Sequence, residues 1–315
     1  MPLDPRARSL LDMAYRVGAP KFHELDEHQA RRSMVKLQDA FGPDAPAVAS
    51  VTEVPMRSGD HVLLGRAYRP LGARPDQPLP VIIYLHGGGW CIGSVDTHDG
   101  LCRELCNVSG VMVLSLDYRL APEHPFPAAF EDVLACVGWV ERHGPEIGGD
   151  GRRIALCGDS AGGNLALAAA LHLRDQGGTS VRALGLIYPC VDIYAQTGSR
   201  EAFAQGYFLD RETLVWFFER YLPHPADALD WRASPILAET LAGLPPLELV
   251  SAECDPLVDE CDALGRRFEE SGVPVQHHRA TGMVHGFITL GRLFPQASQY
   301  IRALATGVAG QLRGA

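Results

Sequence analysis

The stretch Ile154-Ala155-Leu156-Cys157-Gly158-Asp159-Ser160-Ala161-Gly162-Gly163-Asn164 runs from an apolar segment into a glycine-rich turn and on into helix-forming residues. A serine with glycine two positions before it and two after it, at a strand-to-helix junction, is the pattern of a nucleophile elbow. In so tight a turn the flanking positions must lack bulk, and glycine reaches backbone angles that other residues enter only with strain. The turn stands the hydroxyl clear of the sheet, with a helix N-terminus beneath it. A helix N-cap is the other role a serine takes here, but an N-cap does not call for glycine at both flanks. Ser160 is therefore the candidate nucleophile.

Working outward, His86-Gly87-Gly88-Gly89-Trp90 follows the apolar run Val81-Ile82-Ile83-Tyr84-Leu85 directly. Three consecutive glycines leave backbone N–H groups unshielded and able to point at an anion, as acyl transfer requires for its tetrahedral intermediate. Further along, Leu247–Leu257 reads as a strand that delivers Asp255 just past its end, where Pro256 can no longer donate to a ladder. Glu253, Asp259 and Glu260 are rival acids, and Asp259 is also placed to support the Asp255 loop. Of twelve histidines, His277 and His278 are adjacent on a strand and His86 is set to shape the glycine loop. His285, in Met283-Val284-His285-Gly286-Phe287, is expected in a small-residue loop past the last strand. A near-neutral intrinsic pKa suits it as base and then as acid. The order Ser160, Asp255, His285 is that of a catalytic triad on an α/β-hydrolase sheet.

These segments, with Tyr118-Arg119-Leu120-Ala121-Pro122-Glu123, make the chain similar to the hormone-sensitive-lipase-like branch of the α/β-hydrolases, which includes bacterial family IV carboxylesterases. The resemblance covers about residues 80–290. It implies a serine esterase with a cap over its pocket and does not name the ester. One oxyanion donor is expected to be the N–H after the nucleophile, at Ala161; the family's pattern adds Gly88 and Gly89, with Gly87 less directly involved. Trp90, Asp159 and Phe208 are candidate substrate-binding residues, with packing the alternative for Trp90 and a surface charge the alternative for Asp159.

Nearly continuous apolar runs at 81–85, 111–116, 153–157, 182–188 and 246–251 alternate with helical stretches near 97–109, 127–143, 161–175 and 257–271. Strands buried on both faces read this way, and the alternation predicts a mostly parallel sheet with helices on both faces. Residues 1–50 read as helical up to a stop at Phe41-Gly42-Pro43. Val51–Arg57 and His61–Arg69 read as a hairpin around Ser58-Gly59-Asp60. Pro70–Pro80 is a connection, Val275–Arg279 a short last strand, and 294–311 a last helix. The aromatic-rich interval 191–238 shows no strand and is either extra core or a lid; the resemblance favours a lid built with the N-terminal helices. The expected organisation is N-terminal cap helices (1–50), a hydrolase domain (51–190 and 239–315) and a cap insertion (191–238).

At 315 residues and 46% apolar the chain is long enough for one large core. A formal charge of −10 argues against nucleic acid or an anionic membrane surface as partner. No apolar stretch is long enough to span a bilayer, and Met1–Arg6 lacks a secretory pattern, so a cytoplasmic location is expected. The eight cysteines lack metal-knuckle spacing and are expected to be reduced and mostly buried. The expected function is hydrolysis of short- to medium-chain esters through an acyl-serine, with no cofactor or metal, a small-molecule ester as partner, and homodimerisation possible. Amidase or lactonase chemistry on the same triad is one alternative. A non-catalytic small-molecule receptor is the other, which the presence of His285 argues against.

Overall fold

In the computed structural model, residues 3–58, 61–74 and 76–314 are described. Eight strands form one sheet in the order β1-β2-β4-β3-β5-β6-β7-β8. The outer hairpin, β1 (Ser50–Ser58) and β2 (His61–Arg69), is antiparallel, and β2 joins β4 (Met112–Asp117) antiparallel. From β4 onward all pairs are parallel: β3 (Leu79–Leu85), β5 (Gly149–Asp159), β6 (Val181–Ile187), β7 (Leu247–Cys254) and β8 (Val275–Val284). The continuous apolar runs are the central strands. Ile82, Ile83, Leu156, Cys157, Leu184 and Leu249 are all fully buried, because helices cover both faces.

One face carries α3 (Asp99–Ser109) and α9 (Ala297–Arg313); the other carries α4 (Ala128–His143), α5 (Ala161–Asp175) and α8 (Val258–Glu270). The mostly parallel sheet with helices on both faces is what the alternation of elements predicts, and it is the α/β-hydrolase fold that the resemblance implies. Gly307 on α9 lies against the Glu248 carboxyl, where an added Cβ would meet it at 2.1 Å, so a larger residue there would have to displace that carboxyl. His277 and His278 fall on opposite faces of β8. His277 contacts Ser251 and His278 contacts Glu248, both away from Ser160.

Three expectations need correction. The N-terminal region is not one helical stretch: α1 (Pro5–Arg16) and α2 (Glu27–Phe41) are separated by residues 17–26, because Gly18 turns left-handed at φ 60° and Pro20 follows. β8 is twice the expected length. It stays paired with β7 as far as Cys254↔Val284, and His285 follows in the turn just past the strand, where it is expected. The 70–80 connection is shorter than expected, since Leu79 and Pro80 already belong to β3. The hairpin forms as expected, and its Gly59-Asp60 tip lies outside the described residues.

Between β6 and β7 the chain leaves the sheet for α6 (Gly198–Ala202) and α7 (Arg211–Tyr221). This insertion meets the N-terminal segment over the C-terminal ends of the strands. Lys21 Nζ lies 2.5 Å from Asp210, His23 Nδ1 2.9 Å from the Thr213 hydroxyl, and Arg220 Nε donates to Glu27 at 2.6 Å. All eight cysteines are buried and free. Among the described residues no helix is long and apolar enough to cross a membrane.

Candidate active site

β5 ends at Asp159 and α5 begins at Ala161, leaving Ser160 alone in the turn at φ 54° and ψ −118°. The glycines on either side are there for space. A Cβ on Gly158 would stand 2.5 Å from the Gly162 backbone, and one on Gly162 only 1.9 Å from the Leu85 carbonyl. Any larger residue would push the turn off β3. Ser160 occupies the N-cap position of α5 but makes no side-chain capping bond. Its hydroxyl instead donates to His285 Nε2 at 2.9 Å.

His285 Nδ1 lies 2.7 Å from Asp255 Oδ2, and the other Asp255 oxygen accepts the Leu257 N–H at 2.9 Å. A carboxylate only accepts, so the imidazole proton belongs on Nδ1 and the Nε2 lone pair faces Ser160. Asp255 has no solvent exposure and His285 is 8% exposed. The ring is thus held at both nitrogens, with the Tyr188 ring 4.5 Å away between centroids. Each rival acid is engaged elsewhere. Glu253 accepts from the Gly282 N–H, Asp259 from the Ser199 N–H, and Glu260 from the N–H groups of Val191 and Asp192 and from Arg200.

In the glycine loop Gly88 and Gly89 have φ of 123° and 56°. Each lacks room for a Cβ for a different reason. At Gly88 it would strike the Ile92 carbonyl at 2.1 Å, and at Gly89 the ring of Phe217 at 2.1 Å. Among the described residues, the N–H groups of Gly88, Gly89 and Ala161 have no hydrogen-bond acceptor, whereas the Gly87 N–H is taken by Asp159 at 2.9 Å. His86 hydrogen-bonds the Gly87 carbonyl through Nδ1 and stacks on Tyr118 at 4.3 Å. Burial, and then the neighbouring His98, hold its pKa down at about 3, so it braces the loop as a neutral ring.

Ser160, His285, Gly88, Gly89 and Ala161 open into a cavity of about 80 Å³, walled by Phe22, Met34 and Leu37 from the N-terminal segment and by Phe208, Leu214 and Phe217 from the insertion. Trp90, Asp159 and Phe208 all border it. Trp90 is 1% exposed and lies flat on Tyr221 at 4.1 Å. Phe208 is left-handed at φ 75°, with its ring against Gly286. Asp159 is 4% exposed, which overturns the surface-charge alternative.

Ser199 has no sequence signal, whereas Asp259 is expected to support the Asp255 loop and Glu260 is weighed only as a rival acid. Ser199, in the insertion, donates to the Pro256 carbonyl and binds Asp259 through its N–H, which ties α6 to the loop carrying Asp255. Glu260 clamps the start of the insertion; burial raises its pKa to about 7 even with Arg200 beside it. The partners of Asp259 and Glu260 lie some sixty positions upstream, in the insertion, which is why this tie could not be read locally.

The profile of the α/β-hydrolase fold family matches residues 82–289. The chain is 36% identical to an ethyl acetate hydrolase of Pseudomonas putida, over 88% of each chain. It is 34% identical to an arylesterase of Saccharolobus solfataricus, over 96% of this chain and 98% of that one. Among solved structures, a thermostable esterase from Pseudomonas putida ECU1011 superposes with a TM-score of 0.94 at 31% identity, covering 99% of this chain and 98% of that one. An alpha/beta hydrolase enzyme from the metagenome of Lake Arreo, Spain, also superposes at 0.94, with 38% identity and 98% of each chain covered. The chain therefore belongs to the α/β-hydrolase family, in the hormone-sensitive-lipase-like branch its motifs resemble.

Proposed function

We propose that this protein is a serine carboxylesterase that cleaves small esters through an acyl-enzyme on Ser160. The observation that carries this reading is the unbroken chain from Asp255 through His285 to the Ser160 hydroxyl, standing beside three N–H groups without acceptors. A serine hydroxyl is a weak nucleophile until a base takes its proton. Here the Nε2 lone pair is already in hydrogen-bond contact with it. As Ser160 Oγ bonds to the ester carbon, its proton passes to Nε2 and the carbonyl oxygen takes the negative charge. The N–H groups of Gly88, Gly89 and Ala161 are then its donors. Asp255 holds the tautomer and stabilises the imidazolium without taking the proton. His285 returns the proton to the departing alkoxide, and water repeats the sequence on the acyl-enzyme to release the acid.

The apolar walls suit a neutral ester, and the N-terminal segment with the 191–238 insertion acts as the cap that excludes water. Several relatives are named as esterases or ester hydrolases, which supports ester over amide as the leaving bond. The test is turnover of a p-nitrophenyl ester against the p-nitroanilide of equal acyl length. Rapid turnover of the ester alone is expected. Faster cleavage of the anilide overturns the assignment in favour of an amidase, and binding without turnover in favour of a receptor.

A further inference from the structure

Asp159 takes no part in the proton chain, yet it is one of the most fully engaged carboxylates in the molecule. Its Oδ1 accepts from the Tyr84 hydroxyl at 2.9 Å and from the Gly87 N–H at 2.9 Å. His98 Nε2 lies 3.2 Å from the same oxygen, a charge contact rather than an aligned hydrogen bond. Oδ2 rests on the bare face of Gly87, where an added Cβ would meet it at 2.2 Å. One carboxylate thus joins the residue before the nucleophile to the first glycine of the oxyanion loop.

That junction matters because the two halves of the site arrive on different strands. Ser160 follows β5, while Gly87–Gly89 follow β3, and the loop has no side chains of its own to fix its distance from the hydroxyl. Oxyanion donors act only within about 2.7–3.1 Å of the developing charge, and misplacement by about 1 Å costs on the order of 100-fold. His98 packs against the same carboxylate: its Nδ1 lies 2.9 Å from the Thr97 hydroxyl, which itself reaches the Ser94 carbonyl at 2.9 Å, and its Nε2 faces Oδ1 at 3.2 Å. Burial alone would raise the Asp159 pKa, but His98 and the Tyr84 hydroxyl outweigh it and hold the group ionised.

We propose that Asp159 is a positioning residue that registers the oxyanion loop on the nucleophile elbow, with the His98 ring packed against its carboxylate, and that it makes no contact with substrate. The inference rests on the ester-hydrolase reading above. It also accounts for Gly87, which is glycine to admit a carboxylate rather than to serve as an oxyanion donor.

The experiment is a double-mutant cycle on the full chain, with kcat and KM for p-nitrophenyl acetate measured for wild type, Asp159→Asn, Asp159→Ala, Gly87→Ala and the Gly87→Ala/Asp159→Ala pair. Asp159→Ala should lower kcat about 100-fold with KM changed by less than about threefold. Asp159→Asn keeps the Oδ1 acceptor and should lose about tenfold or less. Gly87→Ala should cost at least about tenfold less in the Asp159→Ala background, where the oxygen it strikes is gone. Unchanged kcat in Asp159→Ala, a rise in KM alone, or strict additivity overturns the proposal. If Asp159→Ala does not fold, the kcat–KM split in Asp159→Asn and Gly87→Ala decides the same point. Absence of ester turnover in the wild type overturns the ester reading instead, and the melting temperatures of the cycle then decide whether Gly87 and Asp159 are coupled.

Discussion

Among the described residues Ser160 is one of four non-glycine residues with positive φ, and Trp90, Tyr188 and Phe208, the other three, all stand at the site: two border the cavity and Tyr188 packs on His285. Left-handed backbone at non-glycine residues is costly, and it persists where the surrounding packing over-determines it. Ser160→Ala should leave the fold intact and lower kcat by roughly 10⁴-fold or more, as measured with a chromogenic acetate ester and near-ultraviolet circular dichroism. Asp255→Asn should lower kcat by about 10⁴-fold with little change in KM, because the imidazole is left in the wrong tautomer. Full activity in Asp255→Asn together with a dead Asp259→Asn would move the acid's role to Asp259. At Gly88 a methyl group meets the Ile92 carbonyl, so Gly88→Ala displaces a proposed oxyanion donor. The expected loss is about 10²–10³-fold in kcat; a change confined to KM contradicts the placement.

At the scale of elements, the most legible parts of the chain were those with one possible environment. Strands buried on both faces must be apolar throughout, so β3 to β7 announced themselves, and α5 runs over the expected 161–175 because an elbow fixes where its helix starts. Elements whose ends depend on distant partners were not legible. β8 continues to Val284 only because β7 pairs with it that far, and its polar first half gives no hint of this. The three residues of the proposed triad could be picked out from local motifs, and the fold brings their side chains into hydrogen-bond contact. The Asp159 network could not, since Tyr84 and His98 are brought to it by the fold. Glu248 on β7 was equally silent. It is 4% exposed, with Gly307 against it, Gln311 donating at 3.2 Å and His278 at 3.5 Å, and burial raises its pKa from 4.5 to about 7. The folded state therefore holds a proton there that the unfolded chain gives up near 4.5. The stability this contributes is complete below pH 4.5 and lost as pH rises through 7. Glu248→Gln should gain on the order of 2 kcal/mol over wild type in urea unfolding at pH 8, with the gain fading by pH 5. An equal effect at both pH values would contradict this.

For the molecule as a whole, the decisive relation is between the sheet and what roofs it. The N-terminal segment and the insertion close a cavity of about 80 Å³ over Ser160. Each methylene that fits adds about 0.8 kcal/mol of burial, so kcat/KM should first climb along a p-nitrophenyl series. It should fall beyond about eight carbons, once the tail meets the wall and overpacking costs about 1–3 kcal/mol. Rates still rising at sixteen carbons on emulsified ester would contradict a closed pocket. Removing residues 1–40 should lower activity on every ester by admitting water, with the sheet still folded by circular dichroism. The central claim, an acyl-enzyme on Ser160 formed by His285 and Asp255, is tested most directly by intact mass and peptide mapping after an aryl fluorophosphonate. One phosphonyl group per chain on Ser160, appearing in step with loss of esterase activity and absent in His285→Ala, is the predicted result. A stoichiometric adduct on another residue, or full esterase activity surviving the adduct on Ser160, would contradict the account.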